Sequence, residues 1–275
     1  MRQAWRRMRG WLAAALALGM AASAQANDGA CAAHFAGGLA PVLVNPRLAQ
    51  QTEPLCFRAF AVLSSGITRT PLYSAEHLTA DRIKDARSIR RLNLFHPEER
   101  LPSNQRAELS DYARSGYDRG HMSPSGDMPD EQSQAESFSL ANMVPQTPQL
   151  NRGLWERIES AVRNLTRREG ELYVVTGPLF RGQDIQALKG HVLVPSDTYK
   201  AVYMPSREGA GAYVCTNTAA PLCRVVSIAE LQQLAGIDAF PSLPAAVKSV
   251  AIVLPKPEPY GGHRRDRQRS ATPSE

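Results

Sequence analysis

Apolar and polar positions change period several times along the chain. Leu154, Ile158, Val162 and Leu165 recur three and four residues apart, which predicts an amphipathic helix over 152–168, ended by Gly170. Ser227, with Glu230 three residues later, predicts a capping box opening a second helix; Leu231 and Leu234 lie on its apolar side and Gly236 stops it. Short apolar runs at 56–63, 71–78, 172–176, 191–194, 200–204 and 247–254 read as strands. The first two return on each other about Gly66, and Gly177-Pro178 is expected to stop the third. Residues 79–117 are polar and charged with little periodicity, which predicts a long ordered loop carrying short helical pieces. Residues 138–151 follow, with Pro145 and Pro148 preventing a regular helix. Strands outnumber helices and no repeat is present, so the expected class is α+β with a central, largely antiparallel sheet flanked by helices.

The two ends differ from the body. Arg2, Arg6, Arg7 and Arg9 precede an apolar, alanine-rich run from Trp11 to Met20, and Ala24-Gln25-Ala26 offers small residues for cleavage. This is the layout of a secretory signal peptide over 1–26, with an apolar run too short to span a bilayer stably; the alternative is an uncleaved anchor. The expectation is a periplasmic or secreted protein with no stable membrane association after cleavage. The formal net charge is +6 at pH 7, but the leader carries four arginines and no acid. Residues 261–275 add Arg264, Arg265, Arg267 and Arg269 against Asp266 and Glu275. The body between is near neutral, so an anionic partner must be held by a local patch and not a global field. Residues 27–55 are expected to wrap the surface, 56–255 to form one domain, and 256–275 to be a basic, disordered tail. The four cysteines, Cys31, Cys56, Cys215 and Cys223, allow three pairings in an exported protein; Cys31–Cys56 with Cys215–Cys223 closes the shortest loops and is preferred.

Phosphodiester hydrolysis needs a base for water, positive charge for the phosphate, and usually a metal at the leaving oxygen. His121 is a candidate base, because a neutral imidazole accepts a proton near pH 7. Arg119 beside it can fork onto phosphate oxygens, and Gly120 permits a tight turn and close approach of substrate. Asn151 opens the amphipathic helix; it is either a plain N-cap or an oxygen ligand for a hard cation such as Mg²⁺. Glu159 lies eight residues on, about 12 Å along a helix axis, too far to share one ion directly with Asn151. Trp155 reads as core or helix packing.

Three segments become specific together: 117–124 (YDRGHMSP), 142–146 (NMVPQ) and 150–159 (LNRGLWERIE). In this order the chain closely resembles the DNA/RNA non-specific endonuclease family, whose active site is a ββα-metal motif. The likeness continues through 175–179 and 227–244 and covers roughly 55–255. The resemblance implies a domain of that kind over 56–255, with His121 as the general base and Asn151 as the one direct protein ligand of the metal. Glu159 then orients a metal-bound water, and Asp118 holds the turn or a neighbouring basic group. Arg119 organises site and substrate, and Asn142 binds near the substrate and supports the geometry. Arg91 is the best match to the family's upstream phosphate-binding arginine, with Arg87 and Arg90 close by. The implied cofactor is Mg²⁺, which Mn²⁺ could replace; the implied partners are DNA and RNA, with a homodimer left open. The implied reaction is in-line attack of water on phosphorus with little sequence preference, leaving 5′-phosphate and 3′-hydroxyl ends. The alternatives are an inactive nucleic-acid-binding member of the same fold, and a different exported hydrolase such as a serine esterase. The chain has no G-x-S-x-G nucleophile elbow to support the latter.

Overall fold

The computed structural model describes residues 31–256. Its principal strands are β1 (Thr52–Cys56), β2 (Ala61–Ser65), β3 (Thr70–Thr79), β4 (Asp118–His121), β5 (Met143–Gln146), β6 (Glu171–Leu179), β7 (Asp197–Met204), β8 (Gly209–Thr216) and β9 (Cys223–Val226). Its principal helices are α1 (Ala80–Ala86), α2 (Glu131–Ser137), α3 (Glu156–Glu169) and α4 (Ile228–Ala235). Seven strands form one antiparallel sheet in the order β9-β8-β7-β6-β3-β2-β1, while β4 and β5 pair separately. The α+β class expected from the sequence is the class observed.

Both faces of the sheet are covered. On one face Leu172, Val174, Val202 and Tyr213 pack with Trp155, Ile158, Val162 and Leu165 of the α3 region. On the other, Val175, Tyr199, Ala201 and Ala212 pack with Ile228 and Leu231 of α4 and with Phe240. Successive strand residues point to opposite faces, so a strand buried on both sides reads as a continuous apolar run, as β6 and β7 do. Helix α3 buries three of the four positions its periodicity selected, Ile158, Val162 and Leu165, while Leu154 falls in the turn before it and is half-buried; Gly170 caps the helix at φ 90°. At α4, Ser227 Oγ accepts the Glu230 N–H at 3.1 Å and Gly236 ends the helix at φ 68°. Only that half of the capping box forms, because the Glu230 carboxylate turns to Arg224.

Several boundaries move. The 56–63 run is not one strand: Cys56 ends β1, the Phe57 N–H donates to Phe60 O at 2.9 Å across a turn, and β2 begins at Ala61. Gly177-Pro178 does not stop β6, which runs to Leu179. Its register with β3 ends at Thr176, so 177–179 borders β7 alone, where a proline disturbs the ladder least. The run 247–254 is not a strand. Ala245–Ser249 is helical after Pro244, and beyond it Ala251 forms only a single bridge to Ala210. The 27–55 segment is more than a surface wrap. Its last strand, β1, is an edge of the sheet, Cys31, His34 and Ala36 are buried, and Val42–Leu43 pairs with Ile237–Asp238. A domain boundary at 55/56 would cut through β1. The disulfides are Cys31–Cys56 and Cys215–Cys223, as preferred from loop length. The signal peptide and nearly all of the basic tail lie outside the described residues. Among the described residues no helix is long and apolar enough to cross a membrane.

Candidate active site

Strands β4 and β5 and the start of α3 form a ββα unit. Asp118 pairs with Gln146 and His121 with Met143. Gly120 is buried in β4, and a Cβ built on it would stand 2.0 Å from Gln146 Oε1. The glycine is therefore set by packing between the two strands, and not by a turn or by substrate approach. Asn142 precedes β5 and is fully buried. Its Oδ1 accepts the Ser123 N–H at 3.0 Å, and its Nδ2 donates to Ser123 O at 2.8 Å and to Ser137 O at 2.9 Å. Both amide hydrogens and the carbonyl are used inside the fold, which overturns the expectation that Asn142 touches substrate. It is a brace for the loop after His121. The Met122 N–H, donating to Asn142 O at 3.0 Å, and the Ser74–Ser123 hydroxyl pair at 2.7 Å fix the same loop.

Asn151 is not an N-cap. The chain makes a π-helical turn at Leu150–Trp155 before α3, a distortion often found at functional sites. Its Nδ2 donates to Asp118 Oδ2 at 2.9 Å. Arg152 grips the same carboxylate with Nε at 2.7 Å and Nη2 at 2.6 Å, and this hydrogen bonding holds Asp118 below the usual carboxylate range against the opposing effect of burial. Asp118 thus holds a neighbouring basic group and also sets the Asn151 amide. With Nδ2 committed, Oδ1 is the atom left for a cation.

His121, Arg91, Arg119, Asn151 and Glu159 line one cleft of about 280 Å³. Asn142 is the one expected site residue outside it, and of the three upstream arginines Arg91 is the one that lines it. His121 is 7% exposed, and its ring stands edge-on to Phe138 with centroids 5.0 Å apart. Its Nε2 has no partner. Burial first, then the charges of Arg91 and Arg119, lower its pKa to about 3, so the imidazole is neutral near pH 7. Arg119 lies 4.1 Å over the Phe95 ring, a packing that spares its donors. The loop bearing Arg91 and Phe95 is tied down by the Leu92 N–H donating to Gln134 Oε1 at 2.9 Å and by a parallel bridge between His96 and Ser139.

Behind the cleft lies a charged layer that the motifs do not announce. Lys200 is 1% exposed and donates to Met122 O at 3.2 Å and Thr176 Oγ1 at 2.7 Å. Glu76 is buried with both carboxylate oxygens unpartnered. Burial, with Asp127 and Glu159 nearby, pushes it well above the usual carboxylate range, while Lys200 opposes the rise. Arg163, one turn after Glu159, pairs with buried Asp127 at 2.9 Å. Burial raises Glu159 to about 7, against the pull of Lys200 and Arg163. Glu76 and Lys200 sit mid-strand among apolar residues, and a charge in a two-sided apolar strand was the available signal.

The donor set suits a hard cation. Asn151 and Glu159 both line the cleft, and Glu156 Oε2 beside them is buried and unpartnered. Among the described residues no three His, Cys, Asp or Glu side chains converge to hold an ion. A sparse oxygen site of this kind matches a cation that keeps most of its waters, as Mg²⁺ does.

Residues 43–246 match the family model described as DNA/RNA non-specific endonuclease. Nuclease C1 of Cunninghamella echinulata var. echinulata is 34% identical over 195 residues, covering 64% of this chain and 77% of that protein. The mitochondrial nuclease EXOG of Danio rerio is 35% identical over 196 residues, covering 64% of this chain and 57% of its own length. A chain in a crystal structure of the EndoG/EndoGI complex superposes with a TM-score of 0.59 at 27% identity, over 68% of this chain and 86% of that one.

Proposed function

The chain belongs to the DNA/RNA non-specific endonuclease family, and from that premise we propose that it is an exported, Mg²⁺-dependent nuclease. Its reaction is hydrolysis of DNA and RNA phosphodiesters with little sequence preference, leaving 5′-phosphate ends. The observation that carries this reading is a neutral imidazole, that of His121, lining one cleft together with Arg91, Arg119, Asn151 and Glu159.

His121 takes the proton of the attacking water. Arg91 and Arg119 hold the phosphate oxygens and balance the charge that builds on them. A phosphate set against these arginines also offsets part of the positive field that depresses His121, so the base strengthens as substrate arrives. Asp118 is a positioning residue: it fixes which end of the Asn151 amide faces the cleft. A divalent cation bound through Asn151, with Glu159 reaching it by way of water, would supply further positive charge at the phosphate and the departing oxygen. Binding through backbone charge entails weak sequence preference and strong salt dependence. Export is supported by the basic-apolar leader and by the two disulfides.

The test is digestion of supercoiled plasmid, single-stranded DNA and RNA by the purified chain, with Mg²⁺ and with EDTA, beside a folded His121→Ala variant. Cleavage of all three that needs Mg²⁺ and His121 is expected, with phosphorylated 5′ ends. Unchanged activity of the variant, or activity surviving thorough chelation, would overturn the assignment.

A further inference from the structure

Asn217 stands in the turn between β8 and β9, outside the catalytic cleft. The Cys215–Cys223 disulfide joins directly opposed residues of the two strands and closes that turn. Asn217 is 8% exposed, and its backbone N–H and whole side-chain amide are engaged. The N–H donates to Ser196 O at 2.9 Å, and Oδ1 accepts the Thr147 N–H at 2.8 Å. Nδ2 donates to Pro145 O and to Pro195 O, each at 2.9 Å. We infer that Asn217 is a positioning residue for Asn151: it fixes Thr147, and through Thr147 the turn that presents the metal ligand. The inference rests on the reading of Asn151 as that ligand and names what holds it in place.

Strand β5 pairs with β4 alone, so its outer edge needs other partners. Pro145, opposite Arg119 in the pair, has no N–H to offer, and its carbonyl is taken by the Asn217 amide. A side-chain amide carries the donors and the acceptor of a peptide group. Asn217 therefore does for this edge what a neighbouring strand would. Thr147 comes next in the chain, and it faces both ways. Its hydroxyl donates to Thr218 O at 3.0 Å and accepts the Leu150 N–H at 3.3 Å, as a capping hydroxyl does. Its carbonyl accepts the Asn151 N–H at 2.9 Å. The disulfide-closed turn is thus joined through one residue to the backbone of Asn151, while Asp118 sets its side chain. A cation with a single direct protein ligand has no second ligand to compensate for a misplaced one, so its affinity follows that backbone. Partners that orient a ligand typically change metal affinity 10–100-fold. Asn217 acts one link further out, which points to the lower end of that range.

The experiment is titration of the metal-free full chain with Mn²⁺, followed by electron paramagnetic resonance in the absence of nucleic acid. Asn217→Ala and Thr147→Val should each raise the Mn²⁺ dissociation constant about tenfold. In the Mg²⁺-dependent plasmid assay the same variants should need more metal for half-maximal rate and regain most of kcat at saturation. Amide exchange at Asn151, read by NMR on the metal-free protein, should quicken in Asn217→Ala. The control is Cys31→Ser/Cys56→Ser, which removes the disulfide remote from this turn; it should lower the melting temperature and leave Mn²⁺ affinity unchanged. Variants that bind Mn²⁺ like the parent, or a control that loses as much affinity as they do, would overturn the inference, as would unaltered exchange at Asn151. Asn151→Ala reads the ligand assignment separately. If it binds Mn²⁺ like the parent, that assignment fails and takes the inference with it. If it does not bind while Asn217→Ala binds normally, only the inference falls.

Discussion

Replacing Asn142 with alanine separates a brace from a substrate contact. The substitution strips the acceptor from the Ser123 N–H and the donors from the Ser123 and Ser137 carbonyls, all at a fully buried side chain. A buried group left unsatisfied costs about 1–3 kcal/mol, and carbonyls tolerate the loss better than N–H groups. Taking roughly 2–3 kcal/mol for the N–H and about 1 kcal/mol for each carbonyl gives about 4–5 kcal/mol of lost stability. For a domain of this size that is a fall of roughly 10–15 °C in melting temperature. Urea unfolding at fixed pH gives the free energy, and steady-state kinetics on the surviving folded protein completes the assay. With the loop after His121 loosened, kcat should fall more than KM rises. A variant of parental stability whose KM alone increases would refute the brace and return Asn142 to the substrate.

Lowering the pH should test the burial of His121. Its pKa is about 3 in the fold against 6.5 unfolded, so between these values the unfolded chain binds the extra proton. That contribution is complete above pH 6.5 and is lost as pH falls, by at most about 1.4 kcal/mol per pH unit. Guanidinium unfolding of the parent and of His121→Asn at pH 7 and pH 4.5 should show the parent losing more; parallel losses would mean a solvated imidazole. Gly120→Ala should cost about 1–3 kcal/mol by driving a Cβ into Gln146, and Gln146→Ala in the same chain should recover part of it; a neutral single variant would point to slack between β4 and β5. Cys31→Ser, which opens the loop closed to Cys56, should cost about 3–4 kcal/mol by the chain-entropy account, and a melting point unchanged by it would contradict that.

What the sequence made legible follows from how local each signal is. Helix α3 repeats its apolar positions at 3.6 residues, and α4 carries its cap and stop within one short segment, so both could be read directly. Strand β1 could not: Glu53 and Pro54 are exposed edge positions, and an edge strand needs little apolar alternation. The run at 247–254 is apolar, but Pro244 and the alanines after it favour a helical turn, and Val253 is 96% exposed. At the site, His121, Arg119, Asn151 and Glu159 fall within two short segments, and the resemblance picked them out. The direction in which Asn142 points depends on Ser123 and Ser137, and the layer of Glu76 and Lys200 comes from strands far apart in sequence. Only the register, which sets Ser74 and Lys200 each opposite Thr176, brings that layer under the cleft.

The burial of Trp155 has a practical side. The chain has three tryptophans, Trp5, Trp11 and Trp155, and removal of residues 1–26 leaves Trp155 as the single indole. It closes the π-helical turn that carries Asn151, is fully buried, and lies 5.6 Å from the Lys200 ammonium. Intrinsic fluorescence of a chain lacking residues 1–26 is therefore a one-site spectroscopic reporter. Its emission wavelength and quenching follow the ββα unit alone, with no label and no second chromophore of the same kind to subtract.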